Sequence, residues 1–432
     1  MVTIGNPNLP GTIVDVDSAS STGVNISAAA EVGLVGQAHL TNGTATANTV
    51  YEVRTPAKAR NLFGDGSVLA EAIVDALVEG AYPVYAVAAT ETTVTNEDLS
   101  GLGQTTGTLA NTPVSENSGE VSFTVDGTAK TTRNIYDDPS TFTPATDEVL
   151  LNPTSGEFNL DTVPSATADV DYVYYDFDAA IDALIAERRE TIDVIGLTTE
   201  DATDVDYAHQ QVKLEEAQGN LMIAFAGADT YLTPSSYTAA FDSSRMKLVY
   251  PTRTATGDSV IGGRVGLQAA LGINESATAK RMTSVKNLRL TLSKAEQVDL
   301  INAFVEPLAD EAAGARIVKD VLTVADSNAE ESEMRQALHR LIVDFVTASV
   351  QRNSDRFIGK LHVQSTRNAL RSTISAELNR LLDLQVVTGY TLSVEEIDAR
   401  SASVDVGVKL VQPLENVEAT ILAGEIEGEV AA

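Results

Sequence analysis

Apolar and polar positions alternate along residues 285–292, with Val285, Leu288, Leu290 and Leu292 apolar, and this predicts a strand. Ser293 follows, with Glu296 three residues on. That pair has the spacing of a capping box, which predicts a helix carrying Ala295, Val298, Leu300, Ile301 and Phe304. Pro307, which cannot continue a helix, ends it. Residues 315–324 read as a second strand. Two long helices are predicted over 330–352 and 366–384, then three β-runs over 386–397, 401–411 and 417–426.

The N-terminal part is organised differently. Residues 1–16 are polar and carry one short β-branched run around Ile13 and Val14, too small to be stable except as an addition to a sheet. Residues 28–36, 48–54 and 83–89 read as strands. Pro56 opens a short helix that ends at Phe63 and Gly64. Residues 67–77 form an amphipathic helix with Leu69, Ile73, Ala76 and Leu77 on one face and Gly80 as its stop. Strand, helix, strand implies a right-handed crossover onto a sheet. From 91 to 177 the chain is rich in Thr, Ser, Gly, Asp and Pro. Short alternating runs at 120–125, 148–151, 157–160 and 170–175, with turns at Asp126-Gly127 and Ser155-Gly156, predict a small all-β insertion. Residues 178–282 return to α/β: helices over 179–190 and 207–218, and strands over 191–197, 220–226 and 246–251. Gly262, Gly263, Gly266 and Gly272 flank a short helix.

The expected fold class is therefore α+β. A discontinuous α/β core is built from the N- and C-terminal segments, with a small all-β insertion and an α/β middle domain. The boundaries are an extended arm over 1–27, first core part 28–90, insertion 91–177, middle domain 178–282, second core part 283–414 and a C-terminal β-arm over 415–432.

Charge changes the picture. The chain of 432 residues has 29 Lys and Arg against 61 Asp and Glu, a net charge of -32. Such a surface repels nucleic acid and anionic membrane. The acids are scattered singly, lysine is scarcer than arginine and aromatics are 5 %, which points to high salt, where a short Debye length screens self-repulsion. Without cysteine there is no disulfide or thiolate chemistry. Residues 1–10 lack the basic start and apolar core of a signal peptide, and no apolar stretch nears the ~20 residues of a membrane span. A chain made and folded in a cytoplasm is expected.

Candidate chemistry is sparse. His39, His209, His339 and His362 have no metal-type partner at i+3 or i+4. No G-x-S-x-G, dinucleotide or Walker pattern occurs. The pairs Asp15/Asp17, Asp169/Asp171 and Asp204/Asp206 offer too few oxygens for calcium and read as solvated surface. No catalytic residue, cofactor or metal site is expected. One charge feature remains. Between Arg335 and Arg380 lie eight bases, opposed only by Asp344, Asp355 and Glu377. They mark either a surface for an acidic partner or intramolecular pairing to the acidic N-terminal segment.

The order of these stretches resembles the contractile tail sheath proteins of myovirus-like tails and contractile injection systems. The stretches are VKNLRLTLSKAEQVDLINAFVEPL, ARIVKDVLTV, HRLIVDFVTASVQRNSDRFIGK, TRNALRSTISAELNRLLDLQVVTGYTL and VDVGVKLVQPLENVEATILAGEIEG. LPGTIVDVDSAS is similar to the family's first arm, and residues 30–89 to its first core segment. The likeness covers 10–89 and 246–428. Residues 149–177 resemble a β-module of several tail proteins.

The resemblance implies a structural subunit, not an enzyme, that polymerises as stacked hexameric rings around a tail tube and contracts to drive the tube through an envelope. It implies a non-catalytic, subtilisin-like middle domain and location in a virion tail after assembly in the host cytoplasm; taken with the acidic, high-salt composition it points to a haloarchaeal virus as the source. Tail tube, baseplate and tail terminator proteins are the implied partners, with no nucleic acid and no membrane insertion. It gives Ile13, Val14, Val16, Val417, Ala419, Ile421, Leu422 and Ile426 the role of inter-subunit strands, although the C-terminal run could instead complete its own sheet. It turns Arg335, Arg340, Arg367 and Arg371 towards the tube. The rival readings are a surface-lattice protein of a halophile and a diverged α/β enzyme.

Overall fold

The computed structural model describes residues 30–413 apart from 230, 274, 326 and 330, together with two short antiparallel strands, β1 (Val2–Ile4) and β2 (Val14–Val16). The chain is a mixed α+β protein organised on one nine-stranded sheet. Its first strands are β3 (Val32–Gly36), β4 (Tyr51–Val53) and β5 (Val84–Ala88), linked through helices α1 (Pro56–Phe63) and α2 (Val68–Glu79). The local signals are the expected ones. The Thr55 and Ser67 side chains cap the two helices, and Gly80 ends α2 in the left-handed region at φ 114°.

The insertion follows β5. It comprises β6 (Thr90–Asp98), β7 (Thr106–Thr108), β8 (Val121–Val125), β9 (Thr128–Ala129), β10 (Thr131–Asn134), β11 (Glu148–Leu151), β12 (Glu157–Leu160) and β13 (Ala168–Asp176). Two four-stranded sheets, ordered β10-β11-β12-β7 and β6-β13-β8-β9, enclose a separate core. Within it Phe123 and Phe158 meet with ring centroids 5.3 Å apart.

The chain then returns to the large sheet. Here come α3 (Asp178–Arg188), β14 (Val194–Leu197), α4 (Ala202–Gln218), β15 (Ile223–Gly227), β16 (Met246–Tyr250) and α5 (Ile261–Leu271). They are followed by β17 (Arg281–Met282), α6 (Lys294–Asn302), β18 (Glu306–Ala309) and β19 (Ala315–Ile317). Sheet order is β17-β19-β18-β16-β15-β14-β3-β5-β4, with β5, β3, β14, β15, β16 and β18 parallel. Alternate side chains feed two cores, as the pleat requires. Val32, Leu34, Val194, Ile223 and Phe225 face α1, α2, α5 and the later helices, whereas Val35, Ile195, Leu197 and Ala224 face α3, α4 and α6. The first core continues into α7 (Ala337–Asp355), α8 (Gln364–Asp383) and a hairpin, β20 (Gly389–Glu396) and β21 (Ala402–Lys409).

Three expectations change. Segments 28–90, 178–282 and 283–414 place their strands in one sheet, so β14 of the expected middle domain pairs directly with β3 of the expected core. The pairing joins residues far apart in sequence, and hydrophobic periodicity carries no information about that register. Residues 285–292 form no strand; their alternation is used in an irregular segment, where Leu288 makes an isolated bridge to Thr254. The glycines of 262–266 lie inside α5 and not beside it. A Cβ at Gly266 would stand 2.5 Å from the Ala76 carbonyl oxygen, and one at Gly262 would collide with that of Ala72. They let α5 lie against the backbone of α2.

Candidate assembly surfaces

The β20–β21 hairpin stands apart from the large sheet. Its register runs unbroken from Gly389↔Lys409 to Glu396↔Ala402. Tyr390, Leu392 and Val394 stand opposite Val408, Val406 and Val404, and this face packs on the core formed with α8, where Leu370, Ile374, Leu378 and Leu381 are buried. The Tyr390 hydroxyl bonds Ser375 and Asn379, each at 2.9 Å, and Arg371 donates to the Leu392 carbonyl at 3.2 Å. A two-stranded ribbon is marginal alone, and the helix supports it from one side only. Both strand edges remain unpaired among the described residues. Two open eight-residue edges are templates for added strands, through main-chain N–H and C=O groups.

A second feature is a crevice that is filled. Open parallel sheets hold ligands outside the carboxyl ends of their strands. Here the β insertion occupies that place. Gln37, just after β3, donates to the Val114 carbonyl and accepts from the Glu116 N–H, both at 3.3 Å. Glu200, beyond β14, accepts from the Thr154 hydroxyl at 3.1 Å. Arg253, beyond β16, grips Glu200 with two bonds of 2.6 and 2.7 Å and Glu116 at 2.7 Å. The Tyr136 hydroxyl donates to Glu116 at 2.6 Å. Burial pushes the Glu116 carboxyl above its ordinary range against the pull of Arg253, and burial followed by Glu116 raises Tyr136. An arginine flanked by two carboxylates fills the position where an α/β enzyme would hold its substrate.

No family model and no curated protein sequence matches the chain. Solved structures do. The helical sheath of the anti-feeding prophage in its contracted state aligns at TM-score 0.59 and 13 % identity, over 96 % of this chain and 99 % of the other. A chain of the baseplate of the same prophage aligns at TM-score 0.59 and 13 % identity, over 97 % and 100 %. The sheath tail protein of Desulfitobacterium hafniense aligns at 0.53 and 13 %, over 93 % and 100 %.

This is the fold of contractile sheath proteins.

Within the sheath fold, the residues singled out from sequence scatter. Val14 and Val16 fall in β2, while Ile13, Val417, Ala419, Ile421, Leu422 and Ile426 lie outside the described residues. Arg335 and Arg371 are exposed. Arg367 is largely covered and pairs with Glu396 at 2.8 Å. Arg340 does not face outward at all. It is fully buried and pairs with Glu216 and Asp344, each at 2.8 Å, because α7 turns this side chain onto α4 and β16. Intramolecular pairing accounts for Arg340, though with the helix before β15 and not with the N-terminal segment.

Two buried charge networks escaped the sequence reading. In one, Arg245 and Arg340 bridge Glu216 of α4 and Asp344 of α7. Burial pushes both carboxyls up. Arg245 and Lys213 outweigh it at Glu216, whose pKa falls, whereas Asp344 rises to about 7. In the other, Lys247 and Arg264 meet Glu306 and Asp320, all four fully buried. The available signal was a lysine inside the apolar run Met246–Tyr250, in a strand covered on both faces.

Asp204 also departs from the solvated reading of Asp204/Asp206. It is buried in the first turn of α4, its Oδ2 unpartnered among the described residues. Burial, then Asp201 and Asp178, raises it to about 8. The folded chain holds this proton between the ordinary carboxylate range and about 8, where the unfolded chain has released it. Its linkage therefore lowers stability as pH rises across that window. Asp204→Asn is expected to weaken the fall in melting temperature between pH 5 and pH 8; an unchanged slope would remove Asp204 as its source.

Proposed function

We propose that the chain is the sheath subunit of a contractile tail or injection machine. It polymerises helically around a tube, as stacked hexameric rings, and contracts to drive the tube through an envelope. End-to-end correspondence with a subunit of a contracted helical sheath carries this reading. The tube, a baseplate and a tail terminator are its partners, and the assembled virion tail, built in a host cytoplasm, is its place. The two open edges of the β20–β21 hairpin receive terminal strands of neighbouring subunits, the runs around Ile13–Val16 and 417–426. The middle segment contributes the parallel strands β14, β15 and β16 as a non-catalytic, subtilisin-like element. No nucleotide is consumed, because the work comes from the difference between two packings of folded subunits. The net charge of -32 suits a multimolar-salt source such as a haloarchaeal virus.

Electron microscopy of the purified chain in multimolar salt, with and without residues 1–18, tests this. Hollow tubes or ring stacks from the intact chain, lost on truncation, are expected. Flat lattices would favour a cell-surface protein, and a small uniform particle at every salt and concentration would overturn the sheath reading.

A further inference from the structure

A lysine and a carboxylate buried in contact are also an amine and an acid in contact. Lys247 projects from β16, inside the nine-stranded sheet, and the side chains of Lys247, Arg264, Glu306 and Asp320 are all fully shielded from water. Both cations lie over the Phe225 ring, Nζ at 5.4 Å and the guanidinium carbon at 5.0 Å from its centroid. The two carboxylates are held differently. Arg264 takes both oxygens of Glu306, through Nε and Nη2. Asp320 is engaged at Oδ1, by Lys247 and by Arg264 Nη2 at 3.3 Å, whereas its buried Oδ2 has no hydrogen-bond partner among the described residues.

We propose that Lys247 and Asp320 join in an intramolecular isopeptide bond. Lys247 Nζ attacks Asp320 Cγ. Glu306, 2.6 Å from Nζ, accepts each of the two protons that the nitrogen sheds, and both end on Oδ2, which leaves as water. Arg264 Nη2 donates to Oδ1, where negative charge gathers as the new bond forms. An ammonium and a carboxylate thus give an amide and one water, and no oxidant or co-reactant is needed. Burial pushes the Asp320 carboxyl up, but Lys247 and Arg264 outweigh it and hold it below its ordinary range. The freshly folded chain therefore carries all four charges, and the bond forms slowly from that state. In water, hydration of the two ions opposes such a condensation. Folding has already stripped that hydration away. The amide removes one charge of each sign and leaves Arg264 on Glu306, a balanced pair. It also ties β16 to the segment before α7, closing residues 247–320 into a covalent loop. None of this depends on the sheath reading.

The test is the intact mass of the full-length chain, kept folded in multimolar salt and denatured at intervals. The mass is expected to fall to one water below that of the unlinked chain. A tryptic digest should then hold a branched peptide joining residues 246–253 to 320–335, uncut at Lys247. Lys247→Arg, which keeps a cation without the amine, should retain its full mass, and Glu306→Gln should slow the loss roughly a hundredfold. A parent chain that keeps its full mass after days in the folded state overturns the proposal. So does loss of water without the branched peptide, as from a succinimide at an Asp-Gly step, or the same loss from the Lys247→Arg chain. The parent's own mass and digest decide the matter even if neither variant folds.

Discussion

Lys247→Met is expected to destabilise the chain by about 3–5 kcal/mol, the usual consequence of removing one partner from a buried charge pair. Lys247 sits on β16 with its ammonium 2.6 Å from Glu306 and bonded also to Asp320 and, at 2.9 Å, to the Val321 carbonyl. Two cations face two anions with no water-exposed side chain among them. Removing one cation leaves Arg264 alone against two carboxylates. Adding Asp320→Asn restores one charge of each sign, so the double variant should recover most of the loss. Denaturant midpoints of the two single variants and the double variant measure this. A double variant that loses the sum of the single effects would show that the four groups act as separate contacts.

Arg253→Met should have an effect of similar size, about 3–5 kcal/mol, but in a different place. Glu200 and Glu116 would be left facing each other without the cation between them, one on the large sheet and one on the insertion. The expected result is local undocking. Limited proteolysis should cut the junctions around 91–177 while the nine-stranded sheet stays protected. Loss of both together would mean that the insertion and the sheet unfold as a single cooperative unit.

Local chemistry was legible in the sequence, and long-range pairing was not. Ser293 and Glu296 form the capping box their spacing predicts, Gly80 ends α2, and Asp126-Gly127 turns the chain with positive φ at both residues. Each depends on neighbours within four residues. The alternation at 285–292 misled because period two reports which side chains are covered, not whether the backbone finds a partner strand. The fate of Arg340 was equally hidden. Its acid partner at i+4, Asp344, was in view, but Glu216 and Arg245 reach the same place only after the sheet has formed. Of the candidate assembly surface, the helix and the two strands could be read directly, whereas the open edges of the hairpin show only once the strand order is known.

The insertion leaves and rejoins the sheet through neighbouring strands, Thr90 of β6 standing opposite Asp176 of β13. Its two connections are thus side by side, and residues between them can be exchanged without moving β5 or α3. That makes the module a cassette: a foreign β-domain with adjacent termini could be grafted at this point onto each repeat of a polymer. The scaffold sets constraints on such a graft: Arg253 needs a carboxylate delivered where Glu116 now stands, and Gln37 and Glu200 need partners in place of Val114 and Thr154.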